Sequence, residues 1–523
     1  MSLRTRSHRQ LLLLPLGALL FSSFLPLDFA RQRGTASQSK GQTSIEALNK
    51  IRLEKLKETA DAYRRTLDGD PSRLAAWQGL ARTLLKMNSV SEAEEAIQKA
   101  QALAVDNAET ECIAGDVYFR RSQFDRATAA YQAALKLDAK LARGYLGLGR
   151  LQLSDFNSKS ARNDFARAFE LDPADPEIIF MRAMTAESYN EARPLEERYL
   201  SVGADEKAED LETVRDMLTL RAKIGNKRLC VLKEEPREHS IPLILMKSNK
   251  NDPGSGVAIK VTLNNRKTVN LDLDSGASGI ILRRSEAKAA GITAISGSFT
   301  RGIGDEGTKQ LSIGIANSVK IGDLEFTDCA IRMSDQTAGK SNSGIIGTDV
   351  FERFLIQQDF PNHVLRLSPL PPREGVPDDW PAHMYEFDRA IPPQPSGATP
   401  IRIIQGKLVL EVSANDVAGS FLIDTGAFIN VLAAGVAKRS SLRDVDSHFS
   451  ISGISGKIKQ PKLATAFQLA FANLKMQCNY ALALDLGPFS DSIGAEISGF
   501  LGYDTLSVFC FVLDYRDGLV RFM

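Results

Sequence analysis

Apolar and polar positions alternate with a period of two in two stretches of the C-terminal half. Each stretch breaks at a polar turn. Val257–Leu263 and Val269–Leu273 flank Asn264-Asn265-Arg266-Lys267, and Lys407–Val412 and Gly419–Ile423 flank Ser413-Ala414-Asn415-Asp416. Both patterns predict β-hairpins. The first hairpin runs into Asp274-Ser275-Gly276-Ala277 and the second into Asp424-Thr425-Gly426-Ala427, 150 residues later. The match continues downstream. Phe299 precedes Gly302-Ile303-Gly304, and Phe449 precedes Gly453-Ile454-Ser455-Gly456. Gly344-Ile345-Ile346-Gly347-Thr348-Asp349 has its partner in Gly499-Phe500-Leu501-Gly502-Tyr503-Asp504. Both copies close on a strand pair, Asp359–Leu367 and Asp514–Phe522, turning at Asn-His and at Asp-Gly. The offset drifts only from 150 to 155, which a few loop insertions explain. A repeat this long predicts two similar β lobes.

The N-terminal half repeats differently. Ala93, Ala127 and Ala161 are spaced by 34, as are Ile97, Tyr131 and Phe165, and Ala100, Ala134 and Ala168. Gly115 and Gly149 keep the same period, and Asp138-Ala139 and Asp172-Pro173 hold the register. Small residues where helices cross, with large ones between them, predict stacked helix pairs. This stretch resembles the tetratricopeptide repeats over about residues 71–174, in three units. Trp77 falls where that family often has tryptophan, and Asp70-Pro71 marks a helix start. Residues 45–68 read as a preceding helix and 175–224 as a helical cap. Arrays of this kind have a concave groove that commonly holds a peptide or a partner protein, although an array that only positions the neighbouring domain fits as well.

The β repeat resembles the retropepsin-like aspartic peptidases, in their single-chain, two-lobed form, over roughly residues 240–523. The family pattern is apolar-apolar-Asp-Thr/Ser-Gly-Ala/Ser, a glycine-rich flap, then apolar-apolar-Gly-x-Asp. Both halves carry all three parts in order. The resemblance implies the acid protease fold of two closed β-barrel lobes and an endopeptidase with Asp274 and Asp424 as its catalytic pair. It implies Ser275, Gly276, Thr425 and Gly426 as supports of the two active-site loops. It places flap tips at Gly302, Ile303, Gly304, Gly453, Ile454 and Gly456. Pepsin-like enzymes have a tyrosine in a single flap; no tyrosine lies between Asp274 and Asp349. A flap on each lobe is the retroviral layout.

The chemistry asks for this pairing. Peptide hydrolysis needs an activated water and an acid for the leaving amine. Two carboxyls about 3 Å apart cannot both ionise, so they share one proton and titrate as a unit. Taken singly, Asp-Ser-Gly and Asp-Thr-Gly are ordinary turns; it is their repeated context that points to a dyad. Asp272 shares a strand face with Asp274 and reads as a solvated or ion-paired residue, since the second lobe has Leu422 there. Asp349 and Asp504 read as structural, binding backbone near the loops.

Composition adds limits. Lys plus Arg number 65 and Asp plus Glu 64, so no broad field draws this chain to nucleic acid or to anionic membranes. The five histidines show no metal-ligand spacing, and neither a metal nor another cofactor is expected. Five scattered cysteines do not make a disulfide scaffold. Cys329 and Cys478 lie in comparable strands of opposite lobes and read as small buried apolar residues rather than a bridge. Arg4, Arg6, His8 and Arg9 precede the apolar run Leu11–Leu27, and Ala30-Arg31 offers a cleavage point. This reads as a secretory signal or an uncleaved membrane anchor, placing the protein outside the cytoplasm: periplasmic, secreted or membrane-anchored.

The expected organisation is therefore multidomain α plus β. It comprises a signal or anchor over 1–30, a flexible tether over 31–44, and a helical repeat domain over 45–225. Lobe 1 follows over 238–370, a proline-rich linker over 371–398 and lobe 2 over 399–523. The expected partners are a peptide or protein substrate and a protein in the helical groove. A fold that binds peptides without cutting them, an adaptor acting through the helices, and dyads formed between two chains remain open at this point.

Overall fold

A computed structural model describes residues 36–203, 205–247, 256–300, 302–304, 309–335, 341, 343–391, 397–447, 450–453 and 455–523. Helix α1 (Ala36–Gly69) leads into three antiparallel pairs. These are α2 (Leu74–Lys86) with α3 (Val90–Leu103), α4 (Ala108–Arg120) with α5 (Phe124–Leu137), and α6 (Ala142–Ser154) with α7 (Ser158–Leu171). Then come α8 (Pro176–Met184), α9 (Tyr189–Val202) and α10 (Ala208–Ile224). The spacing of 34 is the packing code. Ile97, Tyr131 and Phe165 and the alanines four residues before and three residues after each are fully buried. A Cβ on Gly115 would lie 2.5 Å from the Tyr131 ring, and one on Gly149 2.5 Å from the Phe165 ring. Each large ring thus fits only against a glycine on the preceding helix. Asn88, Ser122 and Phe156, one repeat apart, turn each pair with φ near 60° (60°, 57° and 61°).

The expected tether is corrected in part. Helix α1 begins at Ala36, inside it, because a long helix downstream lets propagation continue into polar residues without a new nucleation step. The expected signal or anchor lies outside the described residues. Among those residues no helix is long and apolar enough to cross a membrane.

Each β half closes on itself. In lobe 1, Val257–Leu263, Lys267–Asp274, Gly344–Gly347, Ile280–Arg283, Leu324–Ser334 and Lys309–Ile321 follow one another around a ring, the last pairing with the first. In lobe 2 the ring runs Lys407–Ala414, Val417–Ile423, Gly499–Leu501, Val431–Ala433, Leu474–Leu484 and Lys462–Phe471, again closing on its first member. Alternation sets the inner face. Val257, Ile259, Val261 and Leu263 are buried, with Lys260 exposed between two of them. A third sheet joins the lobes in the order Thr399–Pro400, Leu519–Phe522, Cys510–Asp514, Phe354–Asp359, Val364–Pro369 and His239–Pro242. Its central pairing places Ile356 opposite Leu513, one from each lobe.

Cys329 is buried as expected, but it is bonded to Cys230, whose neighbours Val231 and Leu232 pair with Thr327 and Phe326. No sequence pattern marks this bond, because the short strand that brings Cys230 alongside is only two residues long. Cys478 is free and buried.

The helical array touches both lobes. The Asp216 carboxylate on α10 accepts from Ser296 Oγ (2.7 Å) and Gly297 N (2.8 Å), and Lys223 donates to Ile295 O. Phe299 and Ile313 are buried there with Met217 and Leu220. On lobe 2, Asp491 of the short helix Gly487–Ile493 pairs with Lys207 (2.9 Å) and Arg120 (3.3 Å), and Ser122 Oγ donates to Glu496 O. The linker docks too. Asp388 accepts from Ser160 N and Oγ, Tyr385 Oη donates to Met184 O, and Trp380 packs edge-on to Phe387.

Candidate active site

Asp274 ends its strand, and Gly347 runs beside it in parallel register. Lobe 2 repeats this, with Ile423, just before Asp424, beside Leu501. The two loops that follow meet on the pseudo-twofold axis between lobes. Ser275 N donates to Thr425 Oγ1 (3.0 Å), and Thr425 N donates to Ser275 Oγ (3.1 Å). Each hydroxyl then donates to the opposite lobe, Ser275 Oγ to Ile423 O (2.7 Å) and Thr425 Oγ1 to Leu273 O (3.0 Å). Both residues are 1 % exposed, so all four bonds are shielded from water. The two aspartates meet within one chain, and their carboxyls lie side by side in one cleft.

Backbone N–H groups fix the pair. Gly276 N donates to Asp274 Oδ1 (2.8 Å), while Gly426 N and Ala427 N each donate to Asp424 Oδ1 (3.0 Å). The glycines are there for space. A Cβ on Gly276 would lie 2.6 Å from the Asp424 carboxyl, and one on Gly426 would strike that of Asp274. Burial raises the pKa of both carboxyls above the usual carboxylate range. The charge of Asp424 raises Asp274 further, and the Lys407 ammonium opposes the shift.

Asp349 accepts from Gly279 N with both oxygens (2.8 and 2.9 Å), and burial pushes it up to about 6. Asp504 accepts from Asn430 Nδ2 (3.2 Å), and Asn430 Oδ1 in turn takes the Gly502 N–H (2.9 Å). Both brace the dyad loops from behind. Asp272 is half-buried in the cleft wall and accepts from Ser341 N (3.1 Å).

The two flap tips touch each other. Gly302 N donates to Ser455 Oγ (3.0 Å) and Ser455 N to Ile303 O (3.2 Å). A Cβ on Gly453 would strike Ile303 O, and one on Gly304 the backbone of Ser455 and Gly456. Ile454 lies outside the described residues. Below the tips is a cleft of about 200 Å³ lined by Asp274, Asp424, Gly302, Ile303 and Gly453 among others. Its walls differ. Asp272 and Arg332 face it from lobe 1, where lobe 2 has their register mates Leu422 and Leu482 together with Leu484, Phe489 and Phe500. Sequence reasoning missed Arg332, Phe489 and Lys407 here, because each stands in an ordinary strand or helix pattern and nothing local marks it.

Residues 259–350 and 410–505 both match the family model described as aspartyl protease, and residues 115–154 match a TPR repeat model. This chain carries a duplicated aspartyl protease domain of the retropepsin-like kind. The protease repeats coincide with the two barrels, and the tetratricopeptide match falls on α4 and α6 with α5 between them. No curated protein matches the chain. Among solved structures, a crystal structure of MamA is 19 % identical, covers 32 % of this chain and 91 % of its own, and has a TM-score of 0.22. A second crystal structure of MamA protein has the same identity and TM-score, with 36 % and 97 % covered.

Proposed function

We propose that this protein is an aspartic endopeptidase in which Asp274 and Asp424 activate water between them. The reading is carried by one observation: two adjoining carboxyls, their loops locked by a reciprocal Ser/Thr exchange, lie beneath two touching flap tips. With one proton shared, the ionised carboxyl takes a proton from water as its oxygen attacks the scissile carbon. The protonated carboxyl polarises the carbonyl oxygen, and a proton passes to the amine as the C–N bond breaks. The flaps open to admit an extended peptide and then exclude bulk water. The apolar lobe 2 wall takes a large apolar side chain of the substrate.

The helical domain leaves a cavity of about 890 Å³ between its inner face and lobe 2. Charges alternate along that face one repeat apart: Arg82, Asp116 and Arg150 in one row, Glu109, Arg143 and Glu177 in the other. They pair across helices, Arg150 with Asp116 (2.5 Å) and Glu177 (2.6 Å). In this reading the cavity receives a polar segment of a protein substrate or partner. Action outside the cytoplasm accords with the Cys230–Cys329 bond, since disulfides persist in oxidising compartments.

The test is cleavage of a peptide library from acidic to neutral pH, with Asp274→Asn and Asp424→Asn in parallel. Cleavage confined to the wild type is the expected result. Cleavage surviving in both variants removes the dyad assignment, and no cleavage at any pH favours a peptide-binding fold. Gly426→Ala is expected to keep the fold and lower kcat by about 10²-fold or more, because its methyl displaces the Asp274 carboxyl and a shift near 1 Å costs about that much.

A further inference from the structure

We propose that Lys407 is the positioning residue of the dyad: reaching from lobe 2 into the loop of lobe 1, its ammonium holds the negative charge of the Asp274–Asp424 pair and sets the pH range in which that pair keeps one proton. The assignment rests on the endopeptidase reading above.

Lys407 opens the hairpin that leads to Asp424. Its Nζ crosses the lobe boundary and donates to Gly276 O (2.6 Å). The same glycine donates its N–H to Asp274 Oδ1 (2.8 Å), so one residue links the ammonium to the dyad. Lys407 lines the cleft with both aspartates and is half-buried. Nothing mirrors it. Val409 lies opposite Leu422 in lobe 2 and Ala258 opposite Asp272 in lobe 1, so the counterpart of Lys407 is Gly256, which has no side chain. The lobe 1 position that answers to Lys407 thus offers no ammonium to the pair.

The surrounding charges are few. Asp274 and Asp272 face this region from the first Asp strand, Asp424 from the second, Arg332 from the strand Leu324–Ser334, and Asp349 from the turn behind the lobe 1 loop. Burial lowers the pKa of the Lys407 ammonium, Asp274, Asp424 and Asp349 act to raise it, and Arg332 adds to the lowering. A fixed cation beside two carboxyls favours each ionised form. Losing it therefore moves both dyad ionisations to higher pH. It also frees the Gly276 loop, which the hydrogen bond restrains.

The experiment separates charge from hydrogen bond. Lys407→Gln keeps a donor for Gly276 O and removes the charge, and Lys407→Arg keeps both. Proteins labelled with [13C]Asp are titrated by NMR, with the dyad signals assigned from Asp274→Asn and Asp424→Asn, and peptide cleavage is followed over the same pH range. The dyad titration, and both limbs of the pH profile, are expected to rise by about one pH unit in Lys407→Gln and to return toward the wild-type position in Lys407→Arg. An unmoved titration in folded Lys407→Gln, or an equal shift in both variants, overturns the assignment. Should the glutamine protein not fold, the Nζ signal of [15N]Lys-labelled wild type decides: a Lys407 that is already neutral where the dyad loses its first proton overturns it. If the wild type titrates as stated yet cuts no peptide, the endopeptidase reading fails and the role of Lys407 in the pair stands.

Discussion

Asp274→Asn is expected to lower kcat by at least about 10⁴-fold with the fold intact, and Asp424→Asn to match it. An asparagine neither shares the proton nor takes one from water, so either substitution removes the pair rather than half of it. For that reason the double variant is expected to lose little more than each single one. A stability measurement gives an independent check. Burial raises both carboxyls above their ordinary values, so the folded protein holds their protons more tightly than the unfolded chain does. That contribution is fully present below the ordinary carboxylate range and is lost as pH rises through the raised folded values. Asparagine does not ionise. The Tm of Asp274→Asn is therefore expected to exceed that of the wild type near pH 8 and to converge on it near pH 4, read from parallel melts.

Replacing both Cys230 and Cys329 by serine is expected to cost on the order of 4 kcal/mol in resistance to unfolding. The bond spans a sequence separation of 99, and closing a loop of that length removes much of the freedom of the unfolded chain. It also pins the segment that leaves α10 to the strand Leu324–Ser334, close to where Asp216 holds the base of the lobe 1 flap. Denaturant midpoints of wild type with and without reductant are the measurement. Reductant is expected to reproduce the loss in the wild type and to leave the double serine variant unmoved.

Much of the fold was legible because both halves are repeats. A residue recurring every 34 positions, or a motif recurring after 150, exposes the packing constraint without any contact being known. Ile97, Tyr131 and Phe165 are one core position written three times, and Ser275 and Thr425 are one loop position written twice. What broke the repetition stayed hidden. Lys407 answers to a glycine in the other lobe, Arg332 to a leucine, and Cys230 sits between domains with no counterpart. Docking of α10 and of the linker on their neighbours depends on Asp216 and Asp388, single acidic residues in polar stretches. Long-range pairing of that kind leaves no period to read.

The sheet between the lobes sets an order on the making of the molecule. Its strand Leu519–Phe522 comes late in the chain, yet it lies between Thr399–Pro400 and Cys510–Asp514, and the latter joins lobe 1 through Phe354–Asp359. The ribosome finishes the helical array and the first barrel long before that strand exists. A nascent or truncated chain that lacks that strand carries both aspartates but only part of the frame between the lobes that hold them.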